Sequence, residues 1–232
     1  YFKTEIVSIP VPNERYNTND FEYIEAFGST YLVLVGGSTK ATLSNETDFI
    51  NSQARIFKIT GIRVEATDTK LRPEDTETNQ PQTIVKYDMN GDGVDDFVIG
   101  AFGPDQGTTP GANNRILLSS SIGWRPASAP EINYPTESLA VGRVGEQAFI
   151  LAISQLCLNQ NYSPFLLLFS AGKFSKTDSL LPDFMRGSAN PGSCGQQGFI
   201  GSTVFDVNGD GVDDLIIGTA DDALRVTWPN YV

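Results

Sequence analysis

The sequence predicts an all-β chain of four repeats, each a meander of antiparallel strands, and three observations predict it. Apolar residues fall in short runs rich in Val, Ile, Leu, Phe and Tyr, bounded by Gly, Pro, Asn or Asp, with little helical period. Four such runs resemble one another: YLVLVGG at 31–37, DFVIGAF at 96–102, FILAIS at 149–154 and DLIIGT at 214–219. The 22 Gly and 13 Pro of the 232 residues supply the turns that so many short strands need.

Each of these runs follows another short strand across a tight turn: EYIEAF, TIVKYD, SLAVGRV and STVFDV in chain order. Each repeat therefore opens as a hairpin. A third strand is predicted at ARIFKIT (54–60), NRILLSS (114–120), PFLLLFS (164–170) and ALRVTW (223–228). A fourth, more polar strand follows near Arg63 to Lys70, Trp124 to Ala129 and Lys173 to Leu181. The second strand is the most apolar and the fourth the most polar, which is the gradient of a β-propeller blade, buried near the axis and wet at the rim.

The whole chain, 1–232, reads as a single propeller domain with blades at about 20–73, 83–130, 137–182 and 201–228. The fourth repeat ends at WPNYV without a fourth strand, while FKTEIVSIP at 2–10 matches FSKTDSLLP at 174–182 in Phe, Thr, an acid, Ser and Pro. The N-terminal strand is thus expected to complete the last blade and close the ring, leaving no free sheet edge. The alternative is a fragment of a larger propeller, whose missing blade this strand would have served.

Composition removes several functions. A formal net charge of −12 argues against a nucleic-acid face, which needs clustered Lys and Arg. The chain has no His, which excludes Ser-His-Asp triads, His-ligated zinc and a His general base. No apolar run reaches the roughly 18 residues that span a bilayer, and the opening YFKTEIVSIP lacks the pattern of a leader.

Two first-hairpin turns stand out: Asp88-Met-Asn-Gly-Asp-Gly-Val-Asp-Asp96 and Asp206-Val-Asn-Gly-Asp-Gly-Val-Asp-Asp214, both D-x-N-x-D-G-x-x-D. Side-chain oxygens at positions 1, 3, 5 and 9 and the carbonyl of position 7 can wrap a hard cation, and Gly at position 6 permits the sharp turn. The expected ligands of two calcium ions are Asp88, Asn90, Asp92, Asp96 and the Val94 carbonyl, then Asp206, Asn208, Asp210, Asp214 and the Val212 carbonyl. An EF-hand would need a Glu at position 12, where the chain has Ile99 and Ile217 inside apolar strands.

These loops and the apolar strands after them resemble the FG-GAP/VCBS repeat family, the integrin-α-like β-propellers, over essentially the whole chain. The first and third repeats depart from the pattern: their turns, Phe27-Gly-Ser-Thr30 and Val144-Gly-Glu-Gln147, lack the carboxylates, and no calcium is expected there. Propellers of the family often have seven blades. The resemblance implies an extracellular or cell-surface module that binds a glycan or protein, or an accessory propeller beside other domains. With no His, and with the clustered carboxylates assigned to metal, the chain is not expected to be an enzyme itself.

Other residues complete the expectation. Cys157 and Cys194 fall in loops that a meander places on one face, so a disulfide is expected in an oxidising compartment. The long loops share the face opposite the calcium loops, and Tyr134, Tyr162, Phe184 and Arg186 are the candidates there for holding a ligand. Asp95 and Asp213, at loop position 8, read as solvated surface. Ser170-Ala-Gly-Lys173 spells the S-x-x-K of some acyl-transfer enzymes but sits in a strand end and turn.

Overall fold

The computed structural model describes residues 15–39, 54–60, 63–66, 70–76, 78, 81–101, 113–129, 136–153, 165–177, 199–219 and 224–227. The N-terminal strand at 2–10, both cysteines and all four ligand-face candidates (Tyr134, Tyr162, Phe184 and Arg186) lie outside the described residues.

The described strands form four antiparallel sheets in chain order, each a simple meander. The first holds β1 (Arg15–Ala26), β2 (Ser29–Thr39), β3 (Arg55–Thr60) and β4 (Arg63–Ala66). The second holds β5 (Pro81–Tyr87), β6 (Asp96–Ala101), β7 (Arg115–Leu118) and β8 (Arg125–Pro126). The third holds β9 (Ser138–Val144), β10 (Gln147–Ile153), β11 (Phe165–Ser170) and β12 (Lys173–Lys176). The fourth has three described strands, β13 (Phe199–Phe205), β14 (Asp214–Thr219) and β15 (Leu224–Thr227).

Successive sheets pack face to face through their opening strands, β1 against β5, β5 against β9 and β9 against β13. Because alternate strand residues point to opposite faces, a sheet between two others must be apolar on both. This explains why β10 is buried from Ala148 to Ile153. Ala148, Ile150 and Ala152 pack with Val98 and Ile116 of the second sheet, whereas Phe149, Leu151 and Ile153 pack with Leu215 and Ile217 of the fourth. A third core joins Ile24, Tyr31, Val33 and Ile56 of the first sheet to Ile84, Phe97 and Ile99 of the second.

Polar groups register the seams. A bulge in β1 between Thr18 and Asp20 turns the Asp20 carboxylate to β5, where it accepts from the Ile84 N–H at 3.0 Å and the Thr83 hydroxyl at 3.2 Å. The Ser138 and Ser202 hydroxyls lie 3.0 Å apart between the third and fourth sheets. Ser170 and Lys173 face each other across a two-residue turn, with positive φ at Ala171 and Gly172, so the S-x-x-K spelling is a hairpin.

The outer strand of the second repeat differs from expectation. Only Arg125–Pro126 pairs, and Trp124, assigned by pattern to the polar rim, is fully buried in the seam with the first sheet. The cause is Gly123, whose φ of +118° turns the chain inward so that the Trp124 N–H donates to the Lys70 carbonyl at 2.8 Å. A Cβ at Gly123 would lie 2.2 Å from that carbonyl oxygen. Gly123→Ala is expected to cost at least about 2 kcal/mol, read as a lower urea midpoint, because strained backbone and backbone overlap act together; an unchanged midpoint would remove this account.

Candidate cation-binding loops

Both D-x-N-x-D-G-x-x-D turns join the first two strands of their sheets, and they fold alike because the same side chains serve the same backbone groups. Asp88 accepts through Oδ1 from the N–H groups of Gly91 (2.7 Å) and Asp92 (3.1 Å), and through Oδ2 from Gly93 (2.9 Å). Asp206 accepts from Gly209, Asp210 and Gly211 at 2.7, 3.1 and 2.8 Å. In each loop the third and fifth residues cap the N–H two places on, as short Asx turns: Asn90 to Asp92 and Asp92 to Val94, then Asn208 to Asp210 and Asp210 to Val212, all at 2.9 Å. Gly93 and Gly211 both adopt φ +83°, the left-handed conformation for which the motif requires glycine.

The ninth residue anchors each loop to its sheet. Asp96 is fully buried, and its Oδ2 accepts from Met89 N–H at 2.8 Å and Asn90 N–H at 3.2 Å; Asp214 accepts from Val207 N–H at 2.9 Å. Burial pushes the Asp96 carboxyl above the usual carboxylate range, partly offset by hydrogen bonds from Ser119, Met89 and Asn90. A nearby cation would relieve that cost of ionisation.

Two residues from the segment after β7, neither marked by the sequence pattern, complete the first loop. The Trp124 indole N–H donates to the Asp95 carbonyl at 2.7 Å. The Ser119 N–H donates to Asp96 Oδ1 at 2.6 Å, and its hydroxyl lies 2.8 Å from that oxygen, 3.0 and 2.9 Å from the two Asp92 oxygens and 3.3 Å from the Val94 carbonyl. The oxygens of positions 5, 7 and 9 thus gather around the Ser119 hydroxyl. The donor set, carboxylates with a carbonyl and a hydroxyl, suits a hard divalent cation.

The remaining expected ligands stand differently. Asp88 turns both oxygens to backbone N–H groups, and Asn90 directs its Nδ2 toward Asp92 and Ser119, at 3.3 and 3.2 Å, rather than its carbonyl. Asn208 does the same toward Asp210 at 3.0 Å. Among the described residues no three acidic side chains close into a ready-made metal cage. Filling the loop therefore requires the Asn carboxamide to turn over. At position 8, neither acid is merely solvated: Asp95 lies 4.0 Å from Lys86, and Asp213 accepts from the Arg143 N–H at 3.4 Å.

The fold is all-β, built of successive antiparallel sheets, and the two loops are matched hairpin turns within it. No protein-family model and no curated protein matches the chain. Among solved structures it is similar to a GH43 beta-xylosidase/alpha-arabinofuranosidase from a compost microbial metagenome, in complex with xylotriose and in calcium-free form. The identity is 15% and the TM-score 0.47, over 94% of this chain and 76% of that one. It is also similar to a levansucrase mutant of B. megaterium at 13% identity and TM-score 0.41, over 72% of this chain and 49% of that one. Likeness at this level assigns no chemistry to the chain. One expectation is corrected: the chain was expected not to be an enzyme, and both of these proteins are enzymes. Lack of His still excludes His-based chemistry, and carboxylate chemistry stays open. Among the described residues, no helix is long and apolar enough to cross a membrane.

Proposed function

We propose that this chain is a calcium-stabilised β-propeller of the FG-GAP/VCBS type, an extracellular module that binds a glycan or protein partner through the face opposite its cation loops. One observation supports the cation part: two turns far apart in the chain carry the same acidic motif and hold one hydrogen-bonding pattern. In the first loop Asp88, Asn90, Asp92, Asp96 and the Val94 carbonyl would hold the ion, and in the second Asp206, Asn208, Asp210, Asp214 and the Val212 carbonyl. The ion's chemistry is charge neutralisation at the hairpin end, in a chain of formal charge −12. Calorimetric titration of calcium into chelator-treated protein should return two ions per chain; absence of any binding by folded protein would end the reading. The partner is sought on a glycan array in calcium, where saturable binding to one sugar class supports a glycan and a clean negative from folded protein directs the search to a protein.

Ring closure is the reading under which two exposed apolar faces would cover each other. Tyr87 and Met89, beside the first loop, pack into the seam with the third sheet, and Met89 is 3% exposed. Their counterparts by register beside the second loop, Phe205 and Val207, are 66% and 52% exposed. On the opposite face of the first sheet, Phe21 and Tyr23 are exposed as well. Closing the ring buries these two apolar faces on each other. Phe205→Ala is then expected to cost about 3 kcal/mol, as at a core position, rather than the ~0.5 kcal/mol of an exposed one. In a fragment of a larger propeller the same faces remain open, and sedimentation would find the isolated chain self-associated.

A further inference from the structure

We infer that Asn90 and Asn208 are sites of spontaneous covalent modification, each loop promoting the deamidation of its own Asn–Gly bond. The reaction needs no ion and stands apart from the reading of the loops as calcium sites. Asn90–Gly91 and Asn208–Gly209 are the only Asn–Gly pairs in the chain, and all four residues are exposed. In such a pair the glycine nitrogen attacks the Asn side-chain carbon Cγ, and a glycine, with no Cβ, leaves that approach unhindered. The space beside both glycines is open: beyond the chain neighbours, no heavy atom lies within 4 Å of where a Cβ would stand.

Two hydrogen bonds in each loop favour the attack. The N–H of the attacking nitrogen donates to a carboxylate, Gly91 to Asp88 Oδ1 and Gly209 to Asp206 Oδ1, both at 2.7 Å. A charged acceptor so close draws on the proton and raises the electron density of the nitrogen. The carbonyl under attack accepts an N–H in turn, Asn90 Oδ1 from Asp92 and Asn208 Oδ1 from Asp210, both at 2.9 Å. That donor stands where negative charge gathers on the oxygen as the new bond forms, in the manner of an oxyanion hole. The same Asx turn folds the side chain back over the peptide group that follows it, toward the glycine nitrogen.

A bond forms between the glycine nitrogen and Asn Cγ, and the Cγ–Nδ2 bond breaks. The proton lost by the glycine nitrogen leaves with Nδ2 as ammonia, and a cyclic succinimide remains. Water then opens the ring, at Cγ to give Asp or at the backbone carbonyl to give isoaspartate. Isoaspartate reroutes the main chain through the former side chain, which abolishes the Asx turn at that position. Either product adds a negative charge to a chain whose formal charge is already −12.

The full chain is incubated in chelator at body temperature and mildly alkaline pH, folded and, in parallel, unfolded in guanidinium chloride, and its peptides are mapped by mass spectrometry for succinimide, Asp and isoaspartate. Asn90 and Asn208 should convert at least as fast in the folded protein as in the unfolded chain. Asn17, Asn19 and Asn114, none of which precedes a glycine except through another residue, should stay intact. Asp88→Asn keeps an acceptor oxygen but removes its charge, and should slow conversion of Asn90 several-fold while Asn208 keeps its wild-type rate. Asp206→Asn should do the reverse, so that each loop reports that the other variant is folded. Slower conversion of either residue in the folded protein than in the unfolded chain, or conversion of Asn90 in Asp88→Asn at the wild-type rate or faster, would overturn the proposal.

Discussion

Replacing Trp124 by alanine should lower the melting temperature by roughly 10 °C, a loss of about 3 to 5 kcal/mol in a chain of this size. The ring is fully buried and touches both sheets of its seam: Phe27 and Tyr31 of the first repeat edge-on at 5.1 and 5.2 Å, and Phe97 of the second at 5.7 Å. Alanine would leave a cavity among three aromatic rings and strip the Asp95 carbonyl of its indole donor. Trp124→Phe separates the two effects, since it keeps most of the ring contact and removes only the N–H. Its expected cost is about 1 to 2 kcal/mol. It should also weaken calcium at the first loop, because the Asp95 carbonyl lies between Val94 and Asp96, whose oxygens gather at that loop's centre. A scanning-fluorimetry melt within 2 °C of wild type for Trp124→Ala, against roughly 10 °C expected, would show that the seam does not depend on this residue.

Trp124 also marks where the sequence stops being readable. The second strands are legible because each lies between two sheets and must be apolar on both faces, as Phe97, Val98 and Ile99 are. The loops are legible because each position has a local reason: a carboxylate that caps nearby N–H groups, a glycine that takes positive φ. Ser119 and Trp124 act through partners distant in sequence, Asp92 and Asp96 for one, Phe27 and Tyr31 for the other. Nothing in the spelling NRILLSS or in a Trp beside Arg125 announces those partners. The gradient from apolar to polar strands assigned Trp124 to a solvated rim because it averages over a strand, whereas one positive φ at Gly123 decides where the side chain goes. The β1 bulge is hidden for the same reason: what Asn19 and Asp20 do depends on β5, which supplies the Pro81 carbonyl and the Ile84 N–H.

Chelating divalent cations should produce the largest change of all. A ligand that binds only the folded state at a hundred times its dissociation constant stabilises it by about 2.7 kcal/mol. Two such sites together should therefore separate the melts in calcium and EDTA by roughly 10 to 20 °C. Single-site variants refine this result because the loops are also held by their own hydrogen bonds. Asp88 accepts three backbone N–H groups, so Asp88→Ala should lower stability in EDTA as well, and only the difference between the calcium and EDTA melts reports the ion. That difference should fall in Asp88→Ala and in Asp206→Ala and vanish in the double variant, since Asp206 accepts the same three backbone N–H groups in its loop as Asp88 does in the first. Magnesium should substitute poorly, because it demands a tighter octahedral shell than a loop built from a backbone carbonyl and flexible carboxylates provides. Coincident melts of wild type in calcium and in EDTA would leave the two loops as hairpin turns whose carboxylates serve the backbone alone.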